Sequence, residues 1–67
     1  MINIVLNGED RKIPRNSNID QLLKELDLEN VRLAVEVNKE IVPRSNYGLR
    51  ALNEDDIVEI VQAIGGG

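Results

Sequence analysis

A chain of 67 residues with neither cysteine nor histidine has to fold on side-chain packing alone. At this size folding hides only about 60% of the surface the unfolded chain exposes, and disulfides or a metal commonly supplement the core. The composition permits neither supplement in its usual form, and it removes zinc fingers, thiol nucleophiles and imidazole bases together. Because chains allot ~100–200 residues to a domain, one domain spanning residues 1–67 is expected and a two-domain enzyme is excluded.

Charge narrows the partners. Eight Lys and Arg against 12 Asp and Glu leave a formal charge of −4. Neutralising a phosphate backbone needs clustered cations, and these are scattered among acids, so a basic protein surface is the more natural partner. With one Tyr and no Phe or Trp, base stacking and aromatic cages are also excluded. The apolar run Ile4-Val5-Leu6 is far too short to span a membrane, and no basic-then-apolar signal region precedes it; the chain reads as cytoplasmic.

Hydrophobic spacing supplies the elements. Ile2, Ile4 and Leu6 alternate with Asn3, Val5 and Asn7, the period of a half-buried strand; Gly8-Glu9 reads as a turn and Arg11–Arg15 as the returning arm, with Pro14 tolerated at its end. Between Ser17 and Leu26 the period changes, since Ile19, Leu22, Leu23 and Leu26 recur three and four apart on one helical face. Ser17 or Asn18 can cap that helix, with Asp20 or Gln21 completing a capping box, and its end is expected near Asp27–Glu29. Leu33, Val35 and Val37 predict a third strand, Asn38–Glu40 a turn, and Ile41-Val42 a short strand stopped by Pro43. Ser45–Leu52 reads as a loop or short helical turn that Tyr47 anchors. Asn53–Asp56 reads as a solvated acidic turn, since its adjacent acids lack the spaced ligands of a calcium loop. In the last strand, Ile57–Val61, Val58 and Ile60 face one side while Ile57, Glu59 and Val61 face the other.

The predicted order is hairpin, helix, two short strands, loop, strand. One helix across a mixed sheet is among the few ways so few elements can bury their apolar faces, so the fold class is an α+β roll. If the strands flanking the helix run parallel, their crossover should be right-handed.

The end of the sequence carries the chemistry. Three of the five glycines are Gly65, Gly66 and Gly67. Glycine has no Cβ and the greatest backbone freedom, so a flexible, bare tail is expected; extended, three residues reach ~10–11 Å, enough to carry a carboxylate into a narrow channel on a partner. The α-carboxylate of Gly67 is a competent nucleophile toward the α-phosphorus of ATP. Adenylation would convert it into an acyl donor from which a sulfur or amine nucleophile displaces AMP. All catalytic machinery would then belong to the partner. Ile57, Val61 and Ile64, on the outer side of the last strand and just beyond it, are the candidate partner-binding residues, because contiguous exposed apolar surface marks an interaction site.

The whole chain resembles the ubiquitin-like sulfur carriers, and among them the ThiS carriers of thiamine biosynthesis. The resemblance runs through Ile2–Gly8, Ile19–Leu23, Val35–Arg44, with Asn38–Arg44 its more specific part, and Asp55–Val61 leading into the glycines. It implies a β-grasp fold and a carrier role in making the thiazole of thiamine, with Gly67 bearing a thiocarboxylate, Gly66 completing the diglycine and Gly65 adding reach. The implied partners are a ThiF-like enzyme that adenylates Gly67 with MgATP and a ThiG-like thiazole synthase that accepts the sulfur. The carrier itself would bind no cofactor, catalyse nothing and be monomeric when free. Alternatives are a carrier for molybdopterin, tRNA or amino-acid sulfuration, a ubiquitin-like protein modifier, and a noncovalent binding module. Molybdopterin-synthase subunits tend to be longer and richer in Phe.

Overall fold

The structure is a computed structural model, described here over residues 1–62. Strand β1 (Ile2–Leu6) pairs antiparallel with β2 (Glu9–Ile13), from Ile2 opposite Ile13 to Leu6 opposite Glu9. Asn7 and Gly8 join them with φ of 50° and 84°, a two-residue turn whose twist suits a hairpin and which Asn-Gly adopts at little cost. The turn is therefore Asn7-Gly8, not Gly8-Glu9, and the returning arm starts earlier than the sequence suggested. Glu9 already pairs with Leu6, and the arm ends before Pro14, which has no N–H to offer.

Helix α1 (Ile19–Glu25) is shorter than its hydrophobic period. Asn18, not Ser17, is the cap: its Oδ1 accepts from the Gln21 N–H at 2.8 Å while the Gln21 side chain accepts from the Asn18 N–H at 2.8 Å. Ser17 instead donates its hydroxyl to the Pro14 carbonyl at 2.6 Å. The helix stops at Leu26, ahead of the expected end, because Asp27 turns left-handed with φ of 59°. Its N–H then meets the Lys24 carbonyl at 3.1 Å and the Leu28 N–H meets that of Leu23 at 2.8 Å, a Schellman closure with Asp in the place glycine usually takes.

Strands β3 (Leu33–Val37) and β4 (Glu40–Val42) form a second hairpin through Asn38 and Lys39, both at positive φ, so Glu40 belongs to the strand and not to the turn. A 3-10 turn over Arg44–Asn46 follows, and Tyr47 anchors this segment in the core as expected. The last strand, β5 (Ile57–Gln62), enters the middle of the sheet, whose order is β2-β1-β5-β3-β4. It runs parallel to β1 and antiparallel to β3, which makes β2 and β3, the strands flanking the helix, run the same way. Ile2, Ile4, Ile13, Val35, Val37, Val58 and Ile60 are buried on one side of the sheet with Ile19, Leu22 and Leu23 of α1. The other side carries no helix among the described residues.

Candidate functional site

Strand β5 leads toward the glycines, and both of its neighbours hold it by side-chain amides. β1 pairs with β5 only at Val5–Ile57 and Leu6–Val58, and its chain then turns away. Asn7 continues the ladder with its side chain: Oδ1 accepts from the Ile60 N–H at 2.8 Å and Nδ2 donates to the Ile60 carbonyl at 3.4 Å. At the start of the strand Asn38 Oδ1 accepts from the Ile57 N–H at 2.9 Å, and its Nδ2 donates to Asp56 Oδ1 at 3.0 Å. Asp56 also accepts from the Asn53 N–H at 2.8 Å and is buried. The acidic turn is thus not wholly solvated: Asp56 is an internal brace that fixes where β5 begins. Glu54 braces it further, accepting from the Asn3 N–H at 3.1 Å.

These braces give a prediction. Replacing Asn7 with Ala removes both contacts to Ile60 and puts at φ of 50° a residue that tolerates the left-handed region less well than Asn, for an expected loss of about 2 kcal/mol in chemical denaturation. Asn7→Gly keeps the turn and isolates the hydrogen-bond part, which should be roughly half of that loss.

The register of β5 fixes which side chains face outward. Val58 and Ile60 are buried, while Ile57 and Val61 stand 48% and 64% exposed on the helix-free side. Val5 lies opposite Ile57, Ala34 opposite Val61, and Glu36 opposite both Glu59 on β5 and Ile41 on β4; Ile41 is 72% exposed. Ile57 does not turn inward at the strand's start, so both described candidates, Ile57 and Val61, are exposed. Ile64, Gly65, Gly66 and Gly67 lie outside the described residues. A separate groove of about 310 Å³ runs beside β4, lined by Val42, Pro43, Leu49 and Arg50 among others. Among the described residues no group of three or more acids is placed to hold a metal ion, and no helix is long and apolar enough to cross a membrane.

The comparison with known families decides the kinship. The model of the ThiS family matches residues 4–67. The chain belongs to the ThiS family. A relative from Bacillus subtilis named sulfur carrier protein ThiS is 41% identical, over 92% of this chain and 96% of its own length. A crystal structure of thiamine biosynthesis protein ThiS from Geobacter metallireducens superposes with a TM-score of 0.84 at 26% identity, covering 98% of this chain and all of that one. The mixed five-stranded sheet with its single α-helix is therefore the ThiS β-grasp, as the sequence resemblance implied. The match extends to a protein of Paramagnetospirillum magneticum named thiazole synthase, 45% identical over 96% of this chain. The ThiS-family chain spans only about 20% of that relative's length.

Sequence reasoning missed Asn7, Asn38 and Asp56 as the groups that set β5. The Asn-Gly pair and the Asn at the end of an alternating run are the signals that mark turn residues, but the strand their side chains would meet is set by sheet order.

Proposed function

We propose that this chain is a sulfur carrier of thiamine biosynthesis whose Gly67 carboxylate is activated and converted to a thiocarboxylate by partner enzymes. Kinship over nearly the full length with a protein named sulfur carrier protein ThiS carries the reading, and the glycine ending supplies its chemistry. A carboxylate oxygen of Gly67 attacks the α-phosphorus of ATP, pyrophosphate leaves, and an acyl-adenylate forms. A sulfur nucleophile at the oxidation level of hydrosulfide adds to the acyl carbon, AMP departs with the bonding electrons, and a thiocarboxylate remains. MgATP belongs to a ThiF-like adenylating partner; the carrier contributes its terminus and a surface to hold it by, and is not the catalyst.

A ThiG-like thiazole synthase is the proposed acceptor of the sulfur. Support comes from relatives in which a segment like this chain and the name thiazole synthase share one polypeptide. A segment similar to this chain within a protein of that name suits two partners that would meet in every turnover.

Docking uses the outer side of β5, with Ile57, Val61 and Ile64 as its apolar contacts. An exposed Val61 contributes little to the core, so Val61→Asp should leave the thermal midpoint within a few degrees of the parent. A charge buried in an apolar interface without a partner is costly, and binding to the adenylating enzyme should weaken by about 100-fold or more. The test is ATP–pyrophosphate exchange by a ThiF-like enzyme. Exchange that depends on adding this chain and falls with Val61→Asp supports the reading; no exchange with the parent chain overturns it.

A further inference from the structure

We propose that Glu36 and Glu59 form a paired carboxylate receptor for one Arg or Lys side chain of the adenylating partner, and that this contact sets the register of docking on the outer sheet face. The inference rests on the docking reading above and names the chemistry of the surface that docks.

The antiparallel register places Glu36 of β3 directly opposite Glu59 of β5. Side chains so placed have Cβ atoms only about 4.5–5.5 Å apart, and like charges in that position oppose folding. Neither glutamate makes a hydrogen bond or ion pair among the described residues. Lys39, in the turn that closes the β3–β4 hairpin, is three residues beyond Glu36 and makes no ion pair with it; Lys12, opposite Asn3 on β1, and Arg32, just ahead of β3, are each four residues from the pair along the strand direction, roughly 13 Å at the usual rise. Among the described residues the two repelling charges thus stand side by side with no ion pair to either of them.

Their surroundings are apolar. On the same helix-free side Ile57 and Val61 flank Glu59 along β5, and Ile41 lies opposite Glu36 on β4, all three exposed. A partner that covers these side chains excludes water from the two carboxylates as well, and two desolvated carboxylates demand a cation. A guanidinium or ammonium group is the complement, because it can donate hydrogen bonds to both carboxylates at once. The same charge rules out a second copy of this chain as the occupant: an isologous face-to-face dimer would gather four glutamates in one apolar interface. The apolar side chains supply adhesion, whereas the pair decides how far along β5 the partner sits. That register matters because the position of β5 sets how far Gly67 reaches.

The experiment compares the parent with Glu36→Gln, Glu59→Gln and the double variant. Affinity for a ThiF-like adenylating enzyme is measured by calorimetry at low and high salt, with thermal unfolding of each free variant alongside. Each glutamine should weaken binding by about 10- to 100-fold at low salt and flatten the salt dependence. The free proteins should unfold at the same temperature or up to roughly 8 °C higher, since repulsion is relieved. Unchanged affinity of the double variant, with a parent that binds and supports pyrophosphate exchange, overturns this inference and leaves the carrier reading standing. Weakened binding accompanied by a lowered midpoint also overturns it, assigning the glutamates to the fold. A parent chain that supports no exchange removes the reading on which the pair rests and overturns both.

Discussion

Deleting Gly67 should abolish carrier chemistry while leaving the fold as stable as before. The deletion leaves a carboxylate on Gly66, so the chemical group survives but ends about 3.5 Å short of its place. In-line attack on phosphorus needs reacting atoms held near 3–3.5 Å, and a misplacement of 1 Å alone can cost about 100-fold. A deficit of a whole residue is therefore expected to lower pyrophosphate exchange by at least ~1,000-fold, below detection in most assays. Removing Gly66 together with Gly67 should do the same. Stability is expected to hold because, among the described residues, the core lies between Ile2 and Ile60. Equal thermal midpoints for parent and deletion, with exchange lost only in the deletion, are the predicted pair of results. A noncovalent binding module would behave differently, keeping its partner affinity and its function when both glycines are gone.

Leu22→Ala should produce the largest loss of stability. Leu22 sits in the middle of a seven-residue helix and is 1% exposed, packed between α1 and the sheet. So short a helix has little stability of its own and is held by this apolar face. Truncating a buried Leu removes transfer free energy and leaves a cavity, costing about 2–5 kcal/mol. At ~0.05–0.15 kcal/mol per residue, a domain of this length has only about 3–10 kcal/mol in total. The thermal midpoint followed by circular dichroism should fall by roughly 10–40 °C, at ~4–8 °C per kcal/mol for a domain this small. Leu49→Ala is the matched control. Leu49 is exposed, and its truncation should change stability by no more than about 0.5 kcal/mol.

The elements of this fold were legible wherever apolar residues kept a period. Ile2, Ile4 and Leu6 at spacing two and Ile19, Leu22 and Leu23 at spacing three and four report burial directly, so β1, β3, β5 and α1 follow from them. Boundaries were less legible because single backbone angles set them. Asn7, Asp27 and Lys39 take positive φ, and only the first two are residue types that commonly do so. Sheet order lay further from reach. Nothing local in Ile57–Gln62 states that the last strand slides between β1 and β3, and every contact that follows from that placement was hidden with it. The Asn7 and Asn38 clamps, the burial of Asp56 and the opposition of Glu36 and Glu59 are all of this kind.

The candidate site divides in the same way. The outward stance of Ile57 and Val61 follows from alternation once Val58 and Ile60 are assigned to the core. The chemistry proposed for Gly67 rests on residue type and position in the sequence, not on packing. Family kinship ties the two together, since the match runs from residue 4 through Gly67.

The most direct test of the carrier reading is the mass of the C-terminal fragment after incubation with a ThiF-like enzyme, MgATP and a sulfur donor. Exchange of one carboxylate oxygen for sulfur nominally adds the mass of one oxygen, so oxidation of Met1 would mimic it in the intact protein; fragmentation separates the two. The account predicts that the added mass maps to Gly67, requires ATP and is absent from the Gly67 deletion. A terminus that stays unmodified while the enzyme consumes ATP on a carrier of its own would contradict it.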